Sequence, residues 1–456
     1  MMSQNIPNLK TSLAWCRFKM ILLTVLWAMA MGVPAATAQQ TYTYININNP
    51  YISKIPFAIT EFKSMNGLET ERDSALIANE IMGRALDFTG YIQIMNPAAF
   101  LVNPAQTGIT LRDINFRDWT GIGAEFIITG GVTARNGDVK LELRMFDAFK
   151  GKLVVGKVYS GPKLQIRKMV HKFCSEVSFF LTGKWGVFDS QIAFVSTVKN
   201  NKEVFVCDFD GSNPRQITDH KSITLSPTWS SDRKWLAYSS YARGKPDIYI
   251  KNIEENRGAI VNFKGMNISP DWMPNQFKLA AALSFSGDQE IYLLTGKGEI
   301  IKRVTKSWGI DVSPCFSPDG NKLAFVSKRA GVPQIYIKDL RTDRVSRLTF
   351  EGKYNTSPAW SPDGDRVAYV GVVDNEIDIY SIDLEGGAPI KLTSGQGDNE
   401  DPAWSADGSM IVFSSTRQGG RSRLFVMTAG GAYQRQILDL PGKQTDPDWS
   451  VGIRKK

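Results

Sequence analysis

Histidine and cysteine are nearly missing from this sequence, with 2 histidines and 4 cysteines in 456 residues. His171 and His220 alone leave little room for a Ser-His-Asp set, and no zinc-ligand spacing is present. A Gly-x-Ser-x-Gly elbow and a phosphate-binding loop are absent as well. Cys16 lies near the start, so Cys174, Cys207 and Cys315 remain for the folded part, in three different predicted elements. An odd, sparse set is not a disulfide framework, and buried free thiols are expected. Long apolar runs are scarce too. The longest, residues 20–33, is shorter than the roughly 20 residues a membrane span needs. Lys10, Arg17 and Lys19 precede it, and Pro34-Ala35-Ala36-Thr37-Ala38 closes it with small residues at the −3 and −1 positions. That is an export signal cut after Ala38, so residues 1–38 are excluded from the fold. Their loss removes three basic and no acidic residues and lowers the net charge from +9 to +6. The excess is spread along the chain rather than gathered in a stripe with interleaved aromatics, so nucleic-acid binding is not expected.

What is abundant is turn and β chemistry, with 39 glycines, 21 prolines and 11% aromatics. A motif recurs: Ser-Pro-x-Trp-Ser-x-Asp-Gly, a short apolar strand, Ile-Tyr, then Leu-Thr. Its aromatic falls at Trp229, Trp272, Phe316, Trp360, Trp404 and Trp449, spaced 43, 44, 44, 44 and 45 residues apart. A period near 44 made of short alternating strands is the mark of propeller blades. The aspartates in turns such as Ser317-Pro318-Asp319-Gly320 belong to turn chemistry, because proline presets φ and glycine accepts φ > 0. The first repeat, from Ile192, has no Pro-x-Trp strand before it, and the last is only Asp446-Pro447-Asp448-Trp449-Ser450. The two fragments complete one blade. Six blades closed by the C-terminal strand follow, with few exposed edges.

Residues 39–183 read differently. A helix over 71–88 places Ile77, Ile81 and Ala85 on one face, and Gly90 lies just past its end. Asn136-Gly137 between two alternating runs signals a tight hairpin. A second helix over 165–181 carries Ile166, Met169, Val170, Phe173, Val177 and Phe180 on one stripe, closed by Gly183. The fold class expected is a small N-terminal mixed α/β domain, residues 39–183, followed by a six-bladed β-propeller, residues 184–456.

The junction Leu181-Thr182-Gly183-Lys184-Trp185-Gly186-Val187-Phe188-Asp189-Ser190-Gln191-Ile192-Ala193-Phe194-Val195-Ser196 and the repeats after it resemble the TolB family of the Tol–Pal system. The likeness covers essentially the whole chain after the leader. It departs at Met273-Pro274-Asn275, which replaces the usual turn, and at Phe316, where tryptophan is usual. The resemblance implies a periplasmic protein that joins an inner-membrane complex to the peptidoglycan-associated lipoprotein Pal, in outer-membrane integrity and in envelope constriction at division. It implies that the start of the mature chain binds TolA and that one propeller mouth binds Pal. A monomer is expected, with no cofactor, no metal and no membrane insertion.

The segment Gln39, Gln40, Thr41, Tyr42, Thr43, Tyr44 is polar and alternating, suited to adding as a strand to a partner's sheet edge, or to being the first strand of its own domain. One propeller face carries the loops between blades (219–224, 306–311, 351–356, 395–400, 441–445) and those between second and third strands (241–245, 329–332, 417–421). Tyr241, Arg243, Trp308, Arg329, Tyr354 and Arg417 there have the aromatic and arginine character of interface anchors, with His220 beside them. The alternative is that they are ordinary solvated loop residues. Three rival functions are weighed. A propeller peptidase lacks its hydrolase domain. A channel-metal hydrolase or lactonase would use Asp271, Asp401, Asp446 and Asp448. A glycan-binding module would use Trp308 as a stacking platform.

Overall fold

The computed structural model describes Tyr44 and residues 53–255, 257–385 and 387–451. In the N-terminal domain, β1 (Ile55–Ile59), β2 (Lys63–Ser64), α1 (Glu69–Phe88) and β3 (Ile92–Ile94) are followed by α2 (Phe116–Thr120). Next come β4 (Phe126–Arg135), β5 (Asp138–Asp147), β6 (Lys152–Pro162) and α3 (Ile166–Thr182). The sheet order is β3-β1-β4-β5-β6, with β2 also on β4. Strand β1 runs parallel to β3 and β4, while β4–β5 and β5–β6 are antiparallel, so the sheet is mixed. Asn136 (φ 53°) and Gly137 (φ 86°) turn β4 into β5. Left-handed φ at both central residues matches the right-handed twist of the flanking strands. Gly183, at φ 73°, ends α3 with its N–H donated to the Phe179 carbonyl at 2.9 Å.

The buried face of α1 differs from the Ile77, Ile81, Ala85 face expected. Ile77 is 41% exposed, and the buried residues are Glu71, Ser74, Ala75, Ala78, Met82, Ala85, Leu86 and Phe88. Small residues let α1 sit close on both the sheet and α3. Glu71 turns inward because its carboxylate gathers donors that would otherwise be orphaned: Ser64 Oγ at 2.7 Å, Asn66 N at 2.9 Å and Ala134 N at 2.9 Å.

Six four-stranded sheets follow. Five are formed by residues 224–261, 267–303, 311–347, 354–391 and 399–436. The sixth joins Gln444–Trp449 to strands Gln191–Val198, Asn201–Asp208 and Arg215–Gln216. Gln444 pairs with Ser196 and Trp449 with Ile192, so the C-terminal strand closes the ring. Each innermost strand carries a bulge whose residue is left-handed: Ser226, Ser269, Ser313, Ser357, Asp401 or Asp446, at φ 49–53°. The second and third strands face each other through ring pairs: Phe194 with Phe205, Tyr238 with Tyr249, Phe325 with Tyr336, Tyr369 with Tyr380 and Phe413 with Phe425. The departure at Met273-Pro274-Asn275 changes the turn: Asn275, in the place of Asp319, takes φ 57°, whereas the sister blades put the left-handed residue one position later, at Gly320, Gly364 and Gly408 with φ 69–78°. Asparagine tolerates that region better than most residues.

The two domains share one core. Val170, Phe173 and Cys174 of α3 pack in the same cluster as Ile192, Phe194, Phe209, Met410, Val412 and Trp449 of the propeller. Polar pins frame it. Arg167 donates to Asp210 at 2.7 Å, and Lys184 pairs with Asp363 at 2.8 Å. The Arg435 guanidinium donates to the Phe88 carbonyl and lies over the Phe88 ring. The polar partners mark one side of the ring: Asp363 lies in a turn between first and second strands, Asp210 in a turn between third and fourth strands, and Arg435 begins a fourth strand. The N-terminal domain therefore covers the opposite side from the loops that join one blade to the next.

Candidate protein-binding mouth

In four of the six blades the mouth loop is held by a buried polar bracket at its root. The threonine of the Leu-Thr close accepts a backbone N–H of its blade's third strand and donates to the acid or amide that opens that strand. Thr218 does this with Glu203 (2.5 Å), Thr305 with Glu290 (2.6 Å), Thr349 with Gln334 (2.8 Å) and Thr393 with Asp378 (2.7 Å). Buried polar groups persist only when paired, so Leu-Thr recurs for the architecture and not for chemistry.

Three of the expected mouth residues serve the same scaffold. The Arg329 guanidinium lies over Phe325 and Tyr336 and pairs with buried Asp311 at 2.9 Å. Arg417 lies over Phe413 and Phe425 and donates to Ser415, Gln434 and Asn399. In the first blade His220 takes this place, edge-on to Tyr238 and Tyr249, with Nδ1 2.7 Å from Ser240 Oγ. Burial depresses its imidazole pKa. All three cap a cross-strand ring pair at the mouth end of a blade. Tyr241 and Tyr354 are half-buried and Arg243 is exposed. Trp308 is 92% exposed. Of the amino-terminal segment, Gln39 to Thr43 lie outside the described residues; Tyr44 is described and exposed.

Exposed apolar side chains join Trp308 on this face. Ile223, Met266 and Phe350 sit in loops between blades, and Phe285 and Val332 in loops between second and third strands. All fall within residues 223–350; the mouth loops of the other blades carry no large exposed hydrophobic residue among the described residues. Phe285 and Phe350 are not among the residues expected at this mouth. Phe285 packs on Phe263 and Tyr292, in the place that Arg329 takes on Tyr336, and keeps 39% of its surface exposed, while Phe350 directly follows the Leu-Thr close.

The axial carboxylates separate into two kinds. Asp448 accepts the Trp229 N–H at 2.7 Å, and Asp271 accepts the Phe316 N–H at 2.8 Å, so each ties one innermost strand to the next. Their carboxyl groups are enclosed although part of each residue faces the channel. Burial raises Asp448 to about 6, and burial together with the Asp448 charge raises Asp271 to about 8. Asp401, beside Asp446 and Glu400, is likewise pushed well up, first by burial and then by those charges. Among the described residues no group of three or more His, Cys, Asp or Glu is arranged to hold a metal ion. The folded pKa of Asp271 lies above its unfolded value of about 4. Stability from its protonated form is therefore complete below about pH 4 and is lost as pH rises towards about 8. Asp271→Asn keeps an acceptor for Phe316 N and removes that loss. The variant is expected to match the parent's thermal midpoint at pH 4 and exceed it at pH 8; equal midpoints at both would refute the raised pKa.

No helix among the described residues is long and apolar enough to cross a membrane. A family model described as the TolB beta propeller domain matches residues 180–453, and one described as the TolB amino-terminal domain matches residues 43–154. The chain is 62% identical over 426 residues to the Tol-Pal system protein TolB of Desulfosudis oleivorans, covering 93% of this chain and 97% of that one. It is 41% identical over 272 residues to a TolB homolog of Chlorobaculum tepidum, 60% of this chain and 61% of the other. The crystal structure of TolB from Acinetobacter baumannii superposes with a TM-score of 0.77 at 26% identity, over 88% of this chain and 97% of that one. Architecture, junction and repeats agree with these matches throughout: the chain belongs to the TolB family of Tol–Pal system proteins.

Proposed function

We propose that this protein is a periplasmic protein-binding scaffold and not an enzyme, and that it links Pal, held at the propeller mouth, to TolA, held by the segment Gln39 to Tyr44. The observation that carries the mouth assignment is the apolar set around Trp308, on the propeller face that the N-terminal domain leaves open. Exposed apolar groups gathered on one face, with cations among them, are the composition of a protein interface. Outer-membrane integrity and envelope constriction at division are the processes such a link would serve.

Calorimetric titration of residues 39–456 with the soluble domain of Pal from the same cell is expected to show saturable one-to-one binding. Deleting residues 39–44 is expected to abolish TolA binding and spare Pal binding. No heat with Pal from a folded sample would overturn the mouth assignment. Retained TolA binding after the deletion would overturn the assignment of the segment.

A further inference from the structure

In five seams between neighbouring blades a tryptophan fills the space against the preceding blade. Trp272 packs on Ile248, Ile250 and Val261, and Trp360 on Ala324 and Ile335. The sixth seam has Phe316 in that position, packed on Ala280, Ile291 and Val304. A phenyl ring does not reach as far as an indole, and the seam holds a recess of about 230 Å³. Its apolar wall is Met273, Leu293, Val304, Phe316, Leu323 and Leu340. Lys302 and Arg341 also line it, and both are exposed. Neither side chain has a hydrogen bond or ion pair among the described residues. The nearby acids are engaged elsewhere: Asp319 with Ser317 and Asn321, Asp339 with the backbone of Arg341 and Thr342, and Asp343 with Lys338.

We propose that this recess is a binding site for a small amphipathic carboxylate, a short acyl or aryl chain in the seam with its anion between Lys302 and Arg341. An apolar void larger than a methyl group loses contacts that a ligand restores, and dry cavities of about 150 Å³ are known to take up benzene. Two exposed cations at the rim, Lys302 near Asp343 and Arg341 near Asp319 and Asp339, have no side-chain hydrogen bond or ion pair of their own to break and favour an anionic head over a neutral one. The site faces away from the mouth, so its occupancy and Pal binding are separable.

Octanoate is the probe, with octan-1-ol lacking the charge and butyrate lacking the chain. Ligand-observed NMR on residues 39–456 is expected to show saturable octanoate binding, with octan-1-ol and butyrate each at least about tenfold weaker. Phe316→Trp, which gives the seam the residue of its five sisters, is expected to abolish octanoate binding and to raise the thermal midpoint. Lys302→Ala with Arg341→Ala, at exposed positions that leave the core alone, is expected to weaken octanoate about tenfold and leave octan-1-ol unchanged. No saturable octanoate binding, or equal binding by a folded Phe316→Trp protein, would overturn the proposal. A double-alanine variant that binds octanoate as the parent does would equally remove the assigned role of the two cations.

Discussion

Trp449→Ala is expected to loosen the ring and the domain junction together, at a cost of about 3–5 kcal/mol. The indole is buried in the innermost strand of the blade that closes the circle. Its Nε1 donates to Ser190 Oγ at 2.8 Å, and Ser190 in turn donates to the Val187 carbonyl at 2.5 Å. Those two residues belong to the linker between the domains. The ring packs in the cluster that holds Phe173 and Cys174 of α3. Alanine would leave a cavity at that meeting point and a buried Ser190 hydroxyl short of one partner. Closure also rests on Ser450, which accepts the Gln191 N–H at 2.9 Å and donates its own to the Gln191 carbonyl at 2.8 Å. Hydrogen exchange is the telling measurement. Protection should fall first in Gln191–Val198 and Gln444–Trp449, the paired neighbours that no turn joins to each other, and then in α3. Uniform loss across all six blades would mean that the seam is no weaker than the rest. Unchanged protection would mean that Trp449 does not hold the closure. Trp404→Ala is the control, since Trp404 is equally buried and donates to the Ala359 carbonyl in a blade closed by continuous chain.

Ring closure was legible in the sequence because each blade has to bury its own faces. The same apolar pattern must then recur at the length of one blade, and the two incomplete repeats at the chain ends could only complete each other. The turns were legible for a similar reason: Ser317 donates to Asp319 at 2.6 Å and Asp319 accepts Asn321 N at 3.0 Å, all within one local stretch. What escaped depends on chain that is distant in sequence. Whether an arginine in a loop reaches outward or folds back is set by the rings beneath it. The Phe325–Tyr336 and Phe413–Phe425 pairs, in neighbouring strands, draw Arg329 and Arg417 inward and thin the set of free anchors. The face of α1 was missed for the same kind of reason. Ile77 looked like core by periodicity, but a helix wedged between a sheet and a second helix buries its small residues, and one carboxylate that Ser64, Asn66 and Ala134 jointly satisfy.

Among the mouth residues, Trp308→Ala is expected to have the largest effect on Pal binding, a loss of about 2 kcal/mol or more, about thirtyfold in Kd. Arg329 and Arg417 are already engaged with their own blades, and His220 lies edge-on to Tyr238 and Tyr249. A partner would have to break those contacts before gaining new ones. Trp308 has no such debt. At 92% exposure it contributes almost nothing to the folded monomer, so its truncation should leave the thermal midpoint unchanged while removing a large rigid contact area. Arg329→Ala should do the reverse, lowering the midpoint because a bared Asp311, fully buried, loses its cation. Measuring both quantities on both variants separates anchor from scaffold. A Trp308→Ala protein that binds Pal with the parent's Kd would place the contact elsewhere on the surface. If it lost affinity for glycan strands instead, the aromatic platform would be serving carbohydrate, through stacking that needs an exposed indole and no apolar neighbours. The neighbours are there, in Phe350, Phe285 and Met266, and they are why a protein surface is the expected occupant.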